Sequence, residues 1–342
     1  MLVLVVLLLS FFSSSGCSTV EDDNEVIELS LSHFFPEDHP IETELIQKWI
    51  DTIENETNGK LRITSYPDEL MLDAEEIYDG VVTNEIDIGL SVFSYSRERF
   101  PLLEVFELPG IMYNNSRVAS MVAWHGIKEL RPNEVKDSQL MMVFATGPGD
   151  MFSKRPIQNL EDLQGLEVRA TGRNADMLDL LGATPISMSQ SDTYEALQSG
   201  VVKANLSPPE VLKNWKQAEV VEYSTSTPFL YNTLFFLNIN LDVWNSLSDD
   251  TKNKIESINE ELQVEIAIGL WDRMNEKALK WAVEEKGLNL ISLSETEMDR
   301  WKEKVKPVQQ DYINKMEEQN LSGEKALEVV LRLSEKYNKI YN

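Results

Sequence analysis

Hydrophobic and polar residues follow two different periods along the chain, and the two periods alternate. Short apolar runs such as "VIELSLS" (26–32) and "LMMVFAT" (140–146) have the length of buried strands. The segments between such runs place apolar residues every three or four positions, as with Ile41, Leu45 and Trp49, and this spacing predicts helices that bury one face. Strands and helices in alternation predict an α/β protein with largely parallel sheets.

The alternation runs through two cycles, which predicts two lobes. The first lobe is expected over 26–146, completed by parts of 238–342, and the second over 147–237. A long apolar stripe at helical spacing follows, and Ser248 is placed to cap its first turn. This predicts one helix over 248–286, on the order of 55 Å long, which would brace both lobes.

The N-terminal residues predict export from the cytoplasm. The apolar run in "MLVLVVLLLSFFSSSG" is shorter than the roughly 20 residues that span a bilayer, so residues 1–16 are expected to be a signal peptide. Cys17 is the only cysteine, and "SGC" resembles the site at which lipoproteins are cleaved and lipidated. We expect a lipid anchor at Cys17 and a solvated tether over 17–25, on the outer face of the cytoplasmic membrane or in the periplasm. The alternative is a plain signal peptide with a chance cysteine.

The charge balance narrows the range of partners. The chain has 31 Lys and Arg against 58 Asp and Glu, a net charge of −27. Nucleic acid is not an expected partner, because its phosphates would be repelled. A small acidic molecule would also be repelled at long range, so a site for one needs its own local positive field.

Residues with catalytic or metal-binding spacing are scarce. His33 and His39 flank the acidic loop "HFFPEDH", but their spacing matches no metal motif, and the third histidine is His125. There is no G-x-S-x-G or G-x-G-x-x-G pattern, and Lys154 lacks the glycines of a phosphate-binding loop. With Cys17 lipidated, no thiol remains for catalysis or a disulfide. The sequence predicts a binding protein without cofactor or metal, and not an enzyme.

One arginine, Arg169, lies in the apolar run "LEVRA", near the carboxyl end of a predicted strand. Ligands of open α/β sheets bind at that edge. A helix predicted after Thr171-Gly172, with Asn174 as its cap, would add free backbone N–H groups. A guanidinium stays charged, so burying it requires a partner. The residues alone leave two alternatives open: a carboxylate of a ligand, or an Asp or Glu of the same chain.

Four motifs occur in a characteristic order, and they suggest a family: "IYDGVVTNEIDIGL", "FPLLEVFELPGI", "NLEDLQGLEVRATG" and "FFLNINLDVWNSLSDDTKNKI". Together they resemble the solute-binding receptors of tripartite ATP-independent periplasmic (TRAP) transporters. The resemblance implies a periplasmic-binding-protein-like clamshell of two α/β lobes with hinge strands and a long bracing C-terminal helix. It also implies an organic acid as ligand, with Arg169 binding its carboxylate.

The chain departs from this family pattern at two positions. Ser207 occupies the place of an asparagine that contacts the carboxylate, and Gly149 the place of a second arginine found in many relatives. One cationic anchor favours a monocarboxylate over a dicarboxylate, and aromatic residues near predicted strand ends favour an apolar or aromatic acid. The other residues expected to contact the ligand are His33, Phe34, Ser91, Phe93, Tyr95, Met151, Phe152 and Phe236.

The expected mechanism is capture without chemistry. The lobes of a monomer close over the acid, and the closed form delivers it to the membrane permease subunits of a TRAP transporter. The same lobes would also serve a binding lipoprotein of an ATP-driven (ABC) importer or of a sensor kinase. The sequence of the receptor does not separate these partners.

Overall fold

The computed structural model describes residues 26–96, 98–263 and 268–341. The predicted signal peptide and tether (1–25), including Cys17, lie outside the described residues. What the structure describes is two lobes, each built on its own β-sheet and covered by helices.

The sheet of the first lobe contains the hydrophobic runs found near both ends of the chain. Its strands are β1 (Ile27–His33), β2 (Leu61–Tyr66), β3 (Ile88–Val92), β4 (Ser138–Ala145) and β10 (Leu234–Asn240). The spatial order is β2-β1-β3-β10-β4. β1 pairs in parallel with β2 and β3, whereas β10 runs antiparallel to β3 and β4. Every residue of β3 and β10 is buried, because helices cover both faces of the sheet.

The sheet of the second lobe has shorter strands. They are β5 (Asp150–Ser153), β6 (Glu167–Arg169), β7 (Thr184–Ile186), β8 (Ala204–Ser207), β9 (Tyr223–Ser226) and β11 (Asn289–Ser292). The spatial order is β11-β9-β5-β8-β6-β7. Only β5 runs antiparallel to its neighbours, β8 and β9; the other described pairs are parallel. The late strand β11 shows that the chain returns to the second lobe after β10 of the first.

The first six α-helices of the described chain are interspersed with the strands. They are α1 (Gln47–Glu56), which continues a π-helical turn over Ile41–Ile46, α2 (Ile77–Val82), α3 (Ser116–Leu130), α4 (Gly172–Leu180), α5 (Gln190–Ser199) and α6 (Val211–Asn214). The later helices are α7 (Leu241–Ser246), α8 (Asp249–Leu262), α9 (Ile268–Lys286), α10 (Glu295–Val305), α11 (Pro307–Glu318) and α12 (Gly323–Ile340). The sequence predicts either Asn114 or Asn115 as the cap of α3, and it is Asn115 that accepts from the Val118 amide. Ser248, the predicted cap of α8, accepts from the Thr251 amide.

The segment predicted as one long helix is described as α8 and α9, with residues 264–267 outside the description. α8 belongs to the first lobe, where the Trp49 indole donates to the Asn259 side chain at 2.7 Å. α9 contacts both lobes: Trp271 lies in the core of the first and Ala282 in a core cluster of the second. This helix therefore ties the lobes together on one side.

The chain crosses between the lobes after β4 and again before β10. The Thr146 amide donates to the Thr233 carbonyl and the Thr233 amide to the Thr146 hydroxyl, each at 3.1 Å, so the two crossing segments are paired. Gly147 follows with φ +75°, and a Cβ there would lie 2.5 Å from the Ser116 amide nitrogen. Only glycine fits this turn and this close approach.

Candidate functional site

Several strands of the two sheets end at one small cavity between the lobes. Phe34 follows β1, Tyr95 follows β3, Arg169 ends β6 and Pro208 follows β8, and all four line the cavity. The cavity volume is about 30 Å³, room for little more than one water molecule. Seven aromatic side chains line it: Phe34, Phe35, Tyr95, Trp215, Tyr231, Phe235 and Trp271. The fold thus places an aromatic-walled site at the sheet edge where α/β proteins bind ligands.

Arg169 is the buried cation of this cavity, with only 2% of its surface exposed. Its Nε and Nη2 donate to the Met188 carbonyl at 3.1 and 3.0 Å. Nη2 also donates to the Tyr95 hydroxyl at 3.3 Å, and Nη1 to the Ser207 hydroxyl at 3.4 Å. All of these partners are uncharged, and in the described part of the chain Arg169 forms no ion pair. Its charge is therefore left without compensation by the protein.

Arg173, a second buried arginine in this region, is neutralised by carboxylates of the chain. Its Nη2 lies 2.5 Å from Glu104 Oε2 and its Nη1 lies 3.0 Å from Asp176 Oδ2. Both arginines are buried, so burial alone does not explain the difference. Among the described residues, carboxylates pair with Arg173, whereas none lies within ion-pair distance of Arg169.

Hydrogen-bond donors surround Arg169. The Tyr95 hydroxyl accepts from Arg169 and, at 2.8 Å, from the Gln190 amide, which leaves its own proton for a third group. Burial raises the pKa of Tyr95, against the opposing effect of Arg169, so the hydroxyl is a neutral donor. The Gln190 side-chain nitrogen and the indole nitrogens of Trp215 and Trp271 are buried without a described hydrogen-bond partner. Unpartnered buried donors are costly, so the cluster favours a group rich in acceptors, such as a carboxylate.

Contacts across the cavity hold the two lobes shut. Tyr95 of the first lobe contacts Arg169 of the second, and His39 Nε2 of the first lies 3.2 Å from Glu210 Oε2 of the second. The rings of Phe34 and Trp215 stack with centroids 6.1 Å apart. The structure therefore shows a closed arrangement, and any organic acid larger than the cavity requires the lobes to separate.

Of the residues predicted from the sequence, Arg169, Phe34 and Tyr95 line the cavity. Ser207 contacts Arg169, and its hydroxyl also donates to the Asn205 side chain at 3.0 Å. The structure thus brings Tyr95 and Ser207 into contact with the Arg169 guanidinium and places Phe34 in the wall of the same cavity.

The other six predicted residues neither line the cavity nor form a hydrogen bond with Arg169, and two of them are polar. His33 Nε2 lies 2.8 Å from Glu42 and its Nδ1 accepts from the Phe35 amide, so both ring nitrogens are used inside the first lobe. Burial alone would raise the pKa of Glu42, but hydrogen bonds from His33 and other side chains outweigh burial and lower this pKa. The Ser91 hydroxyl donates to the Ala74 carbonyl at 2.8 Å.

The other four are apolar and belong to the cores. Phe93 and Phe236 pack together with centroids 5.0 Å apart, and Met151 and Phe152 are fully buried within the hydrophobic clusters. Phe235, the neighbour of Phe236, lines the cavity instead. Successive side chains of a strand point to opposite faces, so the sequence interpretation selected the wrong face of β10.

A larger surface groove, of about 570 Å³, lies between α4 and α11. Its wall includes Asp176, Asp179, Asp311 and Glu318. This acidic lining disfavours an acid as ligand, so the smaller cavity is the better candidate.

The described residues offer neither a metal site nor a membrane-spanning helix. No group of three or more His, Cys, Asp or Glu in that part of the chain is arranged to hold a metal ion. None of the helices described is both long enough and apolar enough to span a bilayer.

Two α/β lobes that close over an aromatic-walled cavity with one uncompensated arginine define a two-lobed solute-binding protein. Residues 31–316 match the family DctP, the bacterial extracellular solute-binding proteins of family 7, and the chain belongs to this family. It is the extracytoplasmic receptor of a TRAP transporter and not an enzyme, as the sequence motifs predicted.

Three relatives each cover about nine tenths of the chain. The C4-dicarboxylate-binding periplasmic protein DctP of Rhodobacter capsulatus is 26% identical over 313 residues, 88% of this chain and 91% of that protein. A TRAP solute-binding protein of Desulfovibrio salexigens, solved as an open complex, is 35% identical with a TM-score of 0.78, covering 91% of this chain and 96% of that one. A marine metagenome TRAP protein specific for aromatic acids, in complex with metahydroxyphenylacetate, is 27% identical with a TM-score of 0.86, covering 92% and 99%.

These structures confirm the predicted two-lobed α/β fold.

Proposed function

We propose that this receptor captures a monocarboxylate with an apolar or aromatic body and delivers it to the membrane subunits of a TRAP transporter. The observation that carries the proposal is Arg169, a buried guanidinium on the wall of an aromatic cavity that forms no ion pair in the described chain. A ligand carboxylate would complete it with two parallel charge-assisted hydrogen bonds, which fix orientation as well as affinity.

The backbone around Gly149 supports one carboxylate rather than two. A Cβ at Gly149 would lie 2.5 Å from Tyr231 Cδ1 and 2.7 Å from the Ser207 carbonyl oxygen. A second arginine has no room at this position, because the Tyr231 ring and the backbone of β8 occupy the space. Binding of aromatic acids by the marine metagenome relative agrees with an aromatic wall, whereas the Rhodobacter capsulatus relative is named for dicarboxylates.

Closure of the lobes is the proposed mechanism. The acid enters between separated lobes and its carboxylate meets Arg169 and the donors of Tyr95 and Gln190. Contacts that exist only in the closed form then shift the equilibrium toward closure. The closed surface is what the membrane subunits recognise.

The proposal extends to the N-terminal residues 1–25. Residues 1–16 direct export, and Cys17 carries a lipid that anchors a monomeric receptor at the membrane through the tether 17–25. An intact-mass measurement of the exported protein tests this: a mature chain that begins at Cys17 without added acyl mass would contradict the anchor.

The experiment for the ligand site uses titration calorimetry. Wild-type protein is titrated with monocarboxylates that have apolar or aromatic bodies and with succinate, and the tightest ligand is then titrated into Arg169→Gln. We expect binding of monocarboxylates, none of succinate, and a loss of at least about a hundredfold in the variant, because a buried ion left without its partner costs roughly 3–5 kcal/mol. Arg62→Gln, at an exposed arginine of β2, is the matched control. Near-normal affinity of Arg169→Gln would return Arg169 to a purely structural role.

A further inference from the structure

The cavity contains a second buried charge. Glu210 lines it together with Arg169, and only 2% of Glu210 is exposed. Its carboxylate oxygen Oε2 is 3.2 Å from His39 Nε2 and 3.0 Å from Asn214 Nδ2. No Lys or Arg of the described chain forms an ion pair with it. Glu210 is therefore the negative counterpart of Arg169, held in the same cavity without a cationic partner.

The hydrogen bonds of His39 identify it as a neutral donor to Glu210. The Ile41 amide donates to His39 Nδ1 at 3.1 Å, so Nδ1 carries a lone pair and the ring proton is on Nε2. A neutral imidazole satisfies one lone pair of the Glu210 carboxylate but does not cancel its charge. The asparagine amide of Asn214 is likewise uncharged.

Arg169 and Glu210 together determine which charges a ligand must carry. A simple monocarboxylate compensates Arg169 but leaves Glu210 buried and unpaired, and it gives the closed cavity a net negative charge. Burying an unpaired charge is costly, so such a ligand would close the lobes poorly. A molecule with a carboxylate at one end and a cationic nitrogen at the other compensates both residues.

The aromatic wall is compatible with the cationic end. Phe34, Phe35 and Trp215 stand around the His39–Glu210 contact: the Phe35 ring centroid is 4.7 Å from that of His39, and the Trp215 centroid is 5.8 Å from it. Aromatic faces attract cations, and boxes of such rings recognise substituted ammonium groups. The carboxylate end lies with Arg169, Tyr95 and Gln190.

We propose that the ligand is a zwitterionic monocarboxylate, of the amino-acid or betaine class, with its carboxylate on Arg169 and its cationic nitrogen near Glu210. This inference rests on the proposed function and narrows its substrate class. It assigns Glu210 as the residue that separates zwitterionic acids from simple ones.

The test compares molecules of the same shape that differ only in charge. N,N,N-trimethylglycine and 3,3-dimethylbutanoate are one such pair, since a quaternary nitrogen replaces a quaternary carbon. L-phenylalanine and (S)-2-methyl-3-phenylpropanoate, in which a methyl group replaces the ammonium group, are a second pair with a larger body. Calorimetry on the wild-type protein is expected to show at least tenfold tighter binding of the zwitterion in the pair that fits. Equal or tighter binding of the simple acids would overturn the inference while leaving the proposed function intact. No binding of any of the four would count against both.

A variant that removes the charge of Glu210 tests whether this residue causes the preference for the zwitterion. In Glu210→Gln the preference for the zwitterion should fall toward a ratio of one, whereas Glu222→Gln, at an exposed carboxylate of the same lobe, should keep it. An unchanged preference in Glu210→Gln would overturn the assignment of this residue. The wild-type comparison decides the ligand class even if the variant does not fold.

Discussion

The hydroxyl of Tyr95 is a single oxygen that joins the two lobes at the ligand, and removing it tests the closure mechanism directly. Tyr95 belongs to the first lobe, whereas both groups that donate to it, Arg169 Nη2 and the Gln190 amide, belong to the second. Tyr95→Phe deletes the oxygen and keeps the ring that packs on Phe34, whose centroid is 5.6 Å away. In the open form the same donors meet water, so the deletion penalises only the closed form.

The expected magnitude follows from the two hydrogen bonds. A bond from a charged donor contributes about 1.5–3 kcal/mol and a neutral one about 0.5–1.5 kcal/mol. The contact with Arg169 is long, 3.3 Å, which places it at the lower end, whereas the 2.8 Å contact with Gln190 is short. The closed form should lose about 2–3 kcal/mol, which weakens ligand binding roughly 30- to 150-fold.

Two measurements check this prediction. Calorimetry gives the affinity, and small-angle X-ray scattering gives the shift toward the open form, expected as a larger radius of gyration at a ligand concentration that saturates the wild type. Tyr66→Phe, at the end of β2, is the control for loss of a tyrosine hydroxyl outside the cavity lining. Affinity of Tyr95→Phe within twofold of the wild type would refute the reasoning that this contact stabilises closure.

Two further predictions concern stability. Gly149→Ala should destabilise the fold by about 1–3 kcal/mol, because its Cβ would lie within 2.7 Å of both Tyr231 and the Ser207 backbone. Gly269→Ala in α9 is the control and should not destabilise the fold, because its Cβ would meet only the end of the Arg273 side chain, at 3.1 Å. A thermal midpoint of Gly149→Ala equal to that of the wild type would contradict the crowding. Burial raises the pKa of Glu107 from 4.5 to about 8, so the folded protein holds a proton that the unfolded chain releases, and stability should fall as pH rises from about 5 to 8. Urea titrations across this range should show a flatter profile for Glu107→Gln, and an identical slope would exclude Glu107 as the source.

Local sequence patterns were sufficient to predict the helices and strands, but not always the residues at which they begin or end. Asn115 and Ser248 cap helices as predicted, because a cap depends on residues only three positions apart. The predicted cap at Asn174 is wrong: α4 already begins at Gly172, and the Asn174 side chain donates to the Asn232 carbonyl near the crossing segment. That contact joins residues far apart in the chain, so a local pattern could not indicate it.

The cavity was only partly predictable, for a similar reason. Arg169 was found because a charge inside an apolar strand violates the local pattern. Phe235 and Phe236 are both apolar and both buried, so β10 shows no alternation from which its cavity face could be read. Glu210 and Trp271 reach the cavity through the packing of helices distant in sequence. Their contribution to the site is a property of the tertiary structure alone.

Arg169 and Glu210 couple ligand binding to closure, because both are solvated only when the lobes are apart. Closing without a ligand buries each charge beside neutral partners, which costs free energy. The contacts of Tyr95 with Arg169 and of His39 with Glu210 offset part of that cost, so the closed form is accessible before a ligand arrives. A ligand that brings the opposite charges removes the remaining cost in the closed form only, and the equilibrium moves by that difference. A ligand that compensates only one of the two charges shifts the open–closed equilibrium less. Selectivity between ligands therefore arises more when the lobes close than when the ligand first binds.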